Sequence, residues 1–249
     1  MSAEKSLAIV LRTIEFSETS VVATLFTERF GKISALAKGA RRPKGPFESA
    51  LDLLAVVRIV FLHKSSGALD LLTEAKLERR FRAAARDLSR LYAGYYVAEL
   101  LTELTDEGDP HADLFSAADR TLARLDEDAP VAPTVLDFEL TALKLLGHLP
   151  SLHDCVGCGN PVEAVGRVAF GLVVGGVLCS ACRPGQRQVV SISAPALVAM
   201  RRLTEETGHG ELAELEPKVR GELRGILSGY LAHLLGHKPK MHDYLKTLV

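Results

Sequence analysis

Cysteine is scarce in this chain, with four residues in 249. No uninterrupted apolar run approaches the roughly 18 residues of a membrane span, so no membrane role is expected. The formal net charge is −1, which excludes bulk polycationic attraction, and any nucleic acid must be held by a local basic patch. The chain has no Gly-x-x-x-x-Gly-Lys-Ser/Thr loop and no dinucleotide fingerprint, so nothing supports a nucleotide-driven motor. A Gly-x-Ser-x-Gly elbow is missing too. Acidic residues are scattered, without the tight set that holds catalytic magnesium in nucleases. These absences lead us to expect a protein that is not an enzyme. Nothing at the N-terminus reads as a secretory signal, which points to a reducing cytoplasm. The remaining composition, 47% hydrophobic and 24% charged, is that of an ordinary globular protein large enough for two or three small domains.

The four cysteines are placed informatively. They form two pairs, Cys155-Val-Gly-Cys158 and Cys179-Ser-Ala-Cys182, separated by twenty residues. Each pair can fold into a knuckle, and two facing knuckles complete a thiolate tetrahedron about 2.3 Å from a zinc ion. Gly157 and Gly159 suit the first turn, and Pro184-Gly185 closes the second. Two disulfides or four buried thiols are the alternatives, and a reducing compartment disfavours disulfides. Four thiolates leave no open coordination position, so one structural Zn2+ is expected rather than a catalytic one. His148 and His153 lie close enough in sequence to replace a cysteine, although polar histidines near a helix end are the plainer reading.

Two periods organise the chain. Segments 7–14, 21–27, 32–38, 54–63 and 68–73 are short, rich in Val, Ile, Leu and Thr, and bounded by turn residues. Five strands in about eighty residues match the size of an OB barrel, a fold that often binds oligonucleotides. Strand periodicity alone does not separate that barrel from an SH3-like one. From Phe81 the period lengthens, with Leu88, Leu91, Tyr92 and Tyr95 at helical spacing. Loops are expected at Asp109-Pro110 and 126–130, and a helix over 135–146, capped by Gly147 and followed by Pro150. A hairpin of 165–170 and 172–178 should lie between the knuckles. Ser193 should cap a helix with Pro195 in its first turn, ending at Gly208. A last helix from Pro217 places Val219, Leu223, Ile226, Leu227, Tyr230 and Leu234 on one face. The expected architecture is α+β: an OB-like five-stranded β-barrel domain over 1–80, then a helical domain over 81–249 with an embedded four-cysteine zinc module at about 152–187.

Between residues 29 and 44 the chain carries Arg29, Lys32, Lys38, Arg41, Arg42 and Lys44 and no acid. Glycine and proline break 38–46 into a loop whose cations suit phosphates, although such charges also serve solubility. Phe26, Phe30 and Phe61 could stack bases, but phenylalanine in strands is more often core. Lys76, Arg79, Arg80, Arg82, Arg86 and Arg90 either extend the patch or form a solvated face. Farther on, Arg201, Arg202, Arg220 and Arg224 flank apolar helix positions, which would suit an acidic peptide with hydrophobic end residues; a solvated rim is the alternative.

Several stretches together resemble the bacterial recombination mediator RecO family. They are Thr27-Glu28-Arg29-Phe30-Gly31-Lys32-Ile33, the loop Ala37-Lys38-Gly39-Ala40-Arg41-Arg42, Phe138-Glu139-Leu140, Leu145 through Pro150 leading into Cys155-Val-Gly-Cys158-Gly159, and Gly175 through Cys182. The resemblance covers nearly the whole chain. It implies an N-terminal OB fold, a helical domain and an embedded zinc module. It also implies non-catalytic work in the cytoplasm, at the nucleoid: binding single- and double-stranded DNA, annealing complementary strands, and loading recombinase onto strands coated by single-strand-binding protein. The partners it implies are RecR and the acidic C-terminal tail of single-strand-binding protein. An RNA-binding module and a protein-interaction scaffold are the competing readings of the same residues.

Overall fold

The computed structural model describes residues 3–42, 45, 47, 50–64, 69–204 and 215–245. The chain divides into two compact units, Met1–Ala129 and Pro130–Val249.

The first unit is built on a closed barrel of five strands: β1 (Ala3–Glu15), β2 (Val21–Thr27), β3 (Gly31–Ala37), β4 (Val56–Leu62) and β5 (Asp70–Arg79). Their order is β1-β2-β3-β5-β4, closed by the antiparallel β1–β4 pair, with β3 and β5 parallel. This is the OB arrangement, so the SH3-like alternative falls away. The interior is filled by alternate residues such as Val10, Leu25, Ile33, Ile59, Phe61 and Leu72, the period-two pattern of a sheet with one buried face. β5 runs past the expected end at residue 73, because Glu74, Lys76 and Glu78 point outward while Ala75 and Leu77 pack inward. Ala68, its expected first residue, lies outside the described residues.

A single 3-10 turn (Ala83–Ala85) leads into α1 (Leu88–Leu104), followed by α2 (Ala112–Asp126), and both helices belong to the first unit. The change of period near residue 81 therefore marks the end of the sheet, and the compact unit continues through α2. The stripe expected to pack α1 is not the one that does. Leu88 is 62% exposed and Leu91, Tyr92 and Tyr95 are half-buried, whereas Ala93, Gly94, Tyr96, Val97, Leu100 and Leu101 are buried. Gly94 explains the rotation: a Cβ there would sit 2.6 Å from Leu54 Cδ1 and 3.1 Å from the Phe81 ring. The helix thus makes its close approach at Gly94, with Tyr96, Leu100 and Leu101 buried along the same helix.

The second unit holds α3 (Val131–Leu145), a small antiparallel sheet of order β7-β6-β8, and the helices α4 (Ala194–Thr204), α5 (Pro217–Leu235) and α6 (His242–Leu245). The strands are β6 (Arg167–Gly171), β7 (Gly176–Leu178) and β8 (Val189–Ser193). α3 ends as expected. Gly147 has φ 73°, its N–H donates to Lys144 O and that of His148 to Leu143 O, which satisfies the last carbonyls. The expected end of α4 at Gly208 lies outside the described residues. On α5, Leu223, Ile226, Leu227 and Tyr230 are buried as expected, while Val219 and Leu234 are half-buried.

One carboxylate ties this unit together. Glu222 on α5 accepts from the Ser193 N–H at 2.9 Å, from the Ser193 hydroxyl and from Arg167 on β6 at 3.0 Å. Ser193 Oγ in turn accepts from Ala196 N–H at the start of α4, as an N-cap does. Burial pushes the Glu222 carboxyl up, but the Ser193 and Arg167 hydrogen bonds outweigh it and leave it below its usual range. A group with a depressed folded pKa contributes stability above its ordinary value, about 4.3, and loses it as pH falls through the lowered one. Glu222→Gln is therefore expected to cost about 1 kcal/mol near neutral pH and to flatten the acid limb of the stability–pH curve. Denaturant melts at several pH values measure both effects.

Candidate functional site

The four cysteines converge. Their sulfurs all lie within 4.8 Å of one another, and Cys158 Sγ is 3.9 Å from Cys179 Sγ. A tetrahedron with metal–sulfur bonds of about 2.3 Å needs sulfurs about 3.8 Å apart. Each knuckle is held by its own backbone: Gly159 N–H donates to Cys155 O at 2.8 Å, and Cys182 and Arg183 N–H both donate to Cys179 O. Gly159 and Gly185 have φ 72° and 79°. Gly157 serves differently from the expectation. It has no left-handed backbone, but a Cβ there would lie 2.9 Å from Cys182 Cβ, so it lets the knuckles close on each other.

The electrostatics of the cluster favour a cation. The Cys179 N–H donates to Cys155 Sγ at 3.3 Å, and such donors lower the Cys155 thiol to about 6. The neighbouring cysteines, hydrogen-bonded to Cys182, push its thiol up to about 12. Four thiolates this close repel one another unless a positive ion lies among them, so the donor set fits one soft, tetrahedral metal ion. His148 and His153 are exposed and do not belong to the cluster. Outside it, Arg201 on α4 fastens the module, donating to Leu152 O at 2.8 Å and Val162 O at 2.7 Å. This clamp was hidden in the sequence, where Arg201 reads as a rim charge.

The basic segment of the barrel separates into two groups. Lys38, Arg41 and Arg42 are exposed just after β3, and Arg29 is exposed in the β2–β3 turn, 5.6 Å over the Phe30 ring. Arg41 pairs with Glu15 at 2.9 Å, and its N–H donates to Thr19 O. The loop is thereby pinned to the β1–β2 turn. Lys44 lies outside the described residues. Lys32 stands apart from them: its ammonium donates to Thr102 O and Thr105 O. It caps the C-terminal turn of α1, where positive charge is favourable.

The second cluster is largely ion-paired, although Arg80 and Arg86 are exposed and only Arg79 and Arg90 are half-buried. Arg79 pairs with Asp119, Arg80 with Asp52 and Arg86 with Asp128, while Arg90 donates to Leu125 O and Ala129 O near the end of α2. Lys76 and Arg82 are exposed. Among the phenylalanines, Phe26 stacks on Phe115 of α2 and Phe61 meets Phe30 edge-on, and Phe26 and Phe61 are core. Of Arg201, Arg202, Arg220 and Arg224, only Arg202 is exposed. Arg220 donates to Leu215 O, and Arg224 is buried with one guanidinium nitrogen unpartnered. No described helix is long and apolar enough to cross a membrane.

Comparison with known proteins agrees with this geometry. Residues 1–81 match the family model "Recombination protein O N terminal", and 85–243 match "Recombination protein O C terminal". The chain is 44% identical to the DNA repair protein RecO of Rhodopirellula baltica over 96% of its length and 97% of that protein. It is 34% identical to that of Anaeromyxobacter dehalogenans, covering 100% and 98% of the two chains. Against that of Symbiobacterium thermophilum the identity is 32%, over 96% and 95%.

Proposed function

The chain belongs to the RecO family, and from that membership we propose that it is a non-catalytic mediator of DNA repair and recombination. In this reading it binds single- and double-stranded DNA, anneals complementary strands and helps load recombinase onto strands coated by single-strand-binding protein. It works in the cytoplasm at the nucleoid, with RecR and the C-terminal tail of single-strand-binding protein as partners. The observation that carries the reading is the exposed set Arg29, Lys38, Arg41 and Arg42 on a closed OB barrel, continued in sequence by Lys44. Cations displayed on a scaffold of fixed backbone neutralise phosphates and release counterions without reading sequence. Cys155, Cys158, Cys179 and Cys182 hold one structural Zn2+. On the second unit, Arg202 is the arginine best exposed to meet an acidic tail, while Arg201, Arg220 and Arg224 support the surface from within.

Replacing Lys38, Arg41, Arg42 and Lys44 together with alanine tests the reading. Affinity for single strands and duplex is expected to fall alike, by one to two orders of magnitude at low salt, with a shallower salt dependence. Thermal stability should hold, since Lys38, Arg41 and Arg42 are exposed. Anisotropy titrations across a salt series measure it, and unchanged affinity and slope would move the patch elsewhere. Tighter binding of matched RNA than of DNA would favour an RNA module. Absence of salt-sensitive binding to either would favour a protein scaffold.

A further inference from the structure

The outer face of β1 changes character midway. Just before Leu11, the outward Ile9 is covered: it is buried and pairs in register with Phe26, which lies against α2. At Leu11 the register with β2 slips by one, from Val10↔Leu25 to Arg12↔Thr24. A bulge of this kind re-aims the side chains beyond it. Arg12, Ile14 and Phe16 consequently emerge together, Ile14 46% and Phe16 62% exposed and Arg12 exposed beside them. The turn that carries Phe16 is fixed by Phe16 N–H donating to Ser20 O at 2.9 Å and by Ser17 N–H donating to the same oxygen. It is also tied to the basic loop, through Arg41 N–H to Thr19 O at 3.0 Å and the Arg41–Glu15 pair. An aromatic ring is thus displayed in water on a fixed backbone, beside cations. Of the other barrel phenylalanines, Phe26, Phe47 and Phe61 are buried, and Phe30 is half-buried with its ring edge-on to Phe61.

We propose that Phe16 is a base-stacking residue that gives the basic surface its preference for unpaired strands. This inference rests on the nucleic-acid reading above and adds a residue and a selectivity to it. Cations at Arg12, Lys38 and Arg42 hold a backbone whether or not its bases are paired. A ring competes only for a base whose face is free, and in a duplex those faces are already stacked. Stacking on an aromatic side chain is sequence-tolerant, because every base offers a π face. Ile14, two residues back on the same face, supplies apolar contact for the adjoining sugar. Glu15 is paired with Arg41 at 2.9 Å, so Arg12, Lys38 and Arg42 are the cations left to the strand.

Three probes of equal length separate the contributions: oligothymidylate, an abasic single strand and a duplex. F16A is expected to weaken oligothymidylate binding about tenfold, with abasic strand, duplex and salt slope unchanged, and with the thermal midpoint of the parent. F16W should restore affinity. Since the chain contains no tryptophan, its single indole should be quenched by oligothymidylate and not by the abasic strand. Parental affinity of F16A for oligothymidylate, or an equal loss on all three probes, overturns the role of Phe16 alone. A parent protein that binds none of the probes overturns the nucleic-acid reading, and this one with it.

Discussion

Metal analysis of the purified protein is expected to return one zinc per chain, and serine at both Cys155 and Cys179 is expected to unfold much of the second unit. The reason is the thinness of what surrounds the cluster. Strands β6, β7 and β8 are five, three and five residues long, and a sheet so small seldom stands on its own. Its apolar content comes down to Val168, Phe170, Val177, Leu178 and Ile192. The loops carrying the cysteines are mostly exposed, so they bring little further burial. A metal bound only by the folded state contributes its binding free energy to folding, which makes several kcal/mol the scale of the loss. Chelator added to the parent should lower the melting midpoint as the double variant does, and added zinc should restore the first but not the second. A metal-free protein of unchanged stability would sink the claim. The paired design matters, because a simple core defect would not respond to zinc.

What the sequence disclosed follows from which forces are local. The Cys-x-x-Cys pairs were readable because one knuckle is a short-range event, and so was the Gly147 cap, which depends on one backbone angle. Period-two patterning exposed the first four barrel strands, yet it broke off in β5 because the outward Glu74, Lys76 and Glu78 look like a loop. Strand β8 went unnoticed although Val189, Val190 and Ile192 are strand formers, since a short run between a knuckle and a helix cap gives little pattern. The cations misled most. Lys32 and Arg201 resemble surface charges until backbone carbonyls 70–73 and 39–49 positions away are brought to them. Phe16 escaped for the opposite reason: only the bulge at Leu11 turns it to water. Residue type announces chemistry, while tertiary structure decides whether that chemistry is spent inside the protein or left on its surface.

Alanine at Gly31 is expected to be among the most damaging single substitutions in the first unit. Gly31 opens β3 with φ 66°, a conformation that costs an L-residue roughly 1–2 kcal/mol. Strain is the smaller part. A Cβ at this position would lie 2.1 Å from Asp109 O and 2.4 Å from Asp109 C, and backbone cannot rotate aside as a side chain can. The 105–109 segment would have to leave, and its anchors would go with it. Gly108 N–H donates to Lys32 O at 2.9 Å, Ser34 Oγ to Glu107 at 2.8 Å, and the Lys32 ammonium to the carbonyls of Thr102 and Thr105. A loss of about 3–5 kcal/mol is expected, read as a melting midpoint lower by on the order of 10 °C. Lys32→Met isolates one anchor. It keeps the glycine but strips two carbonyls of their partner, so about 1–3 kcal/mol should be lost. Its DNA affinity per folded molecule should equal the parent's, because the Lys32 charge already faces the end of α1. Weaker binding with unaltered stability would return Lys32 to the DNA surface, and an unshifted midpoint for Gly31→Ala would show that the 105–109 segment does not rest on this strand.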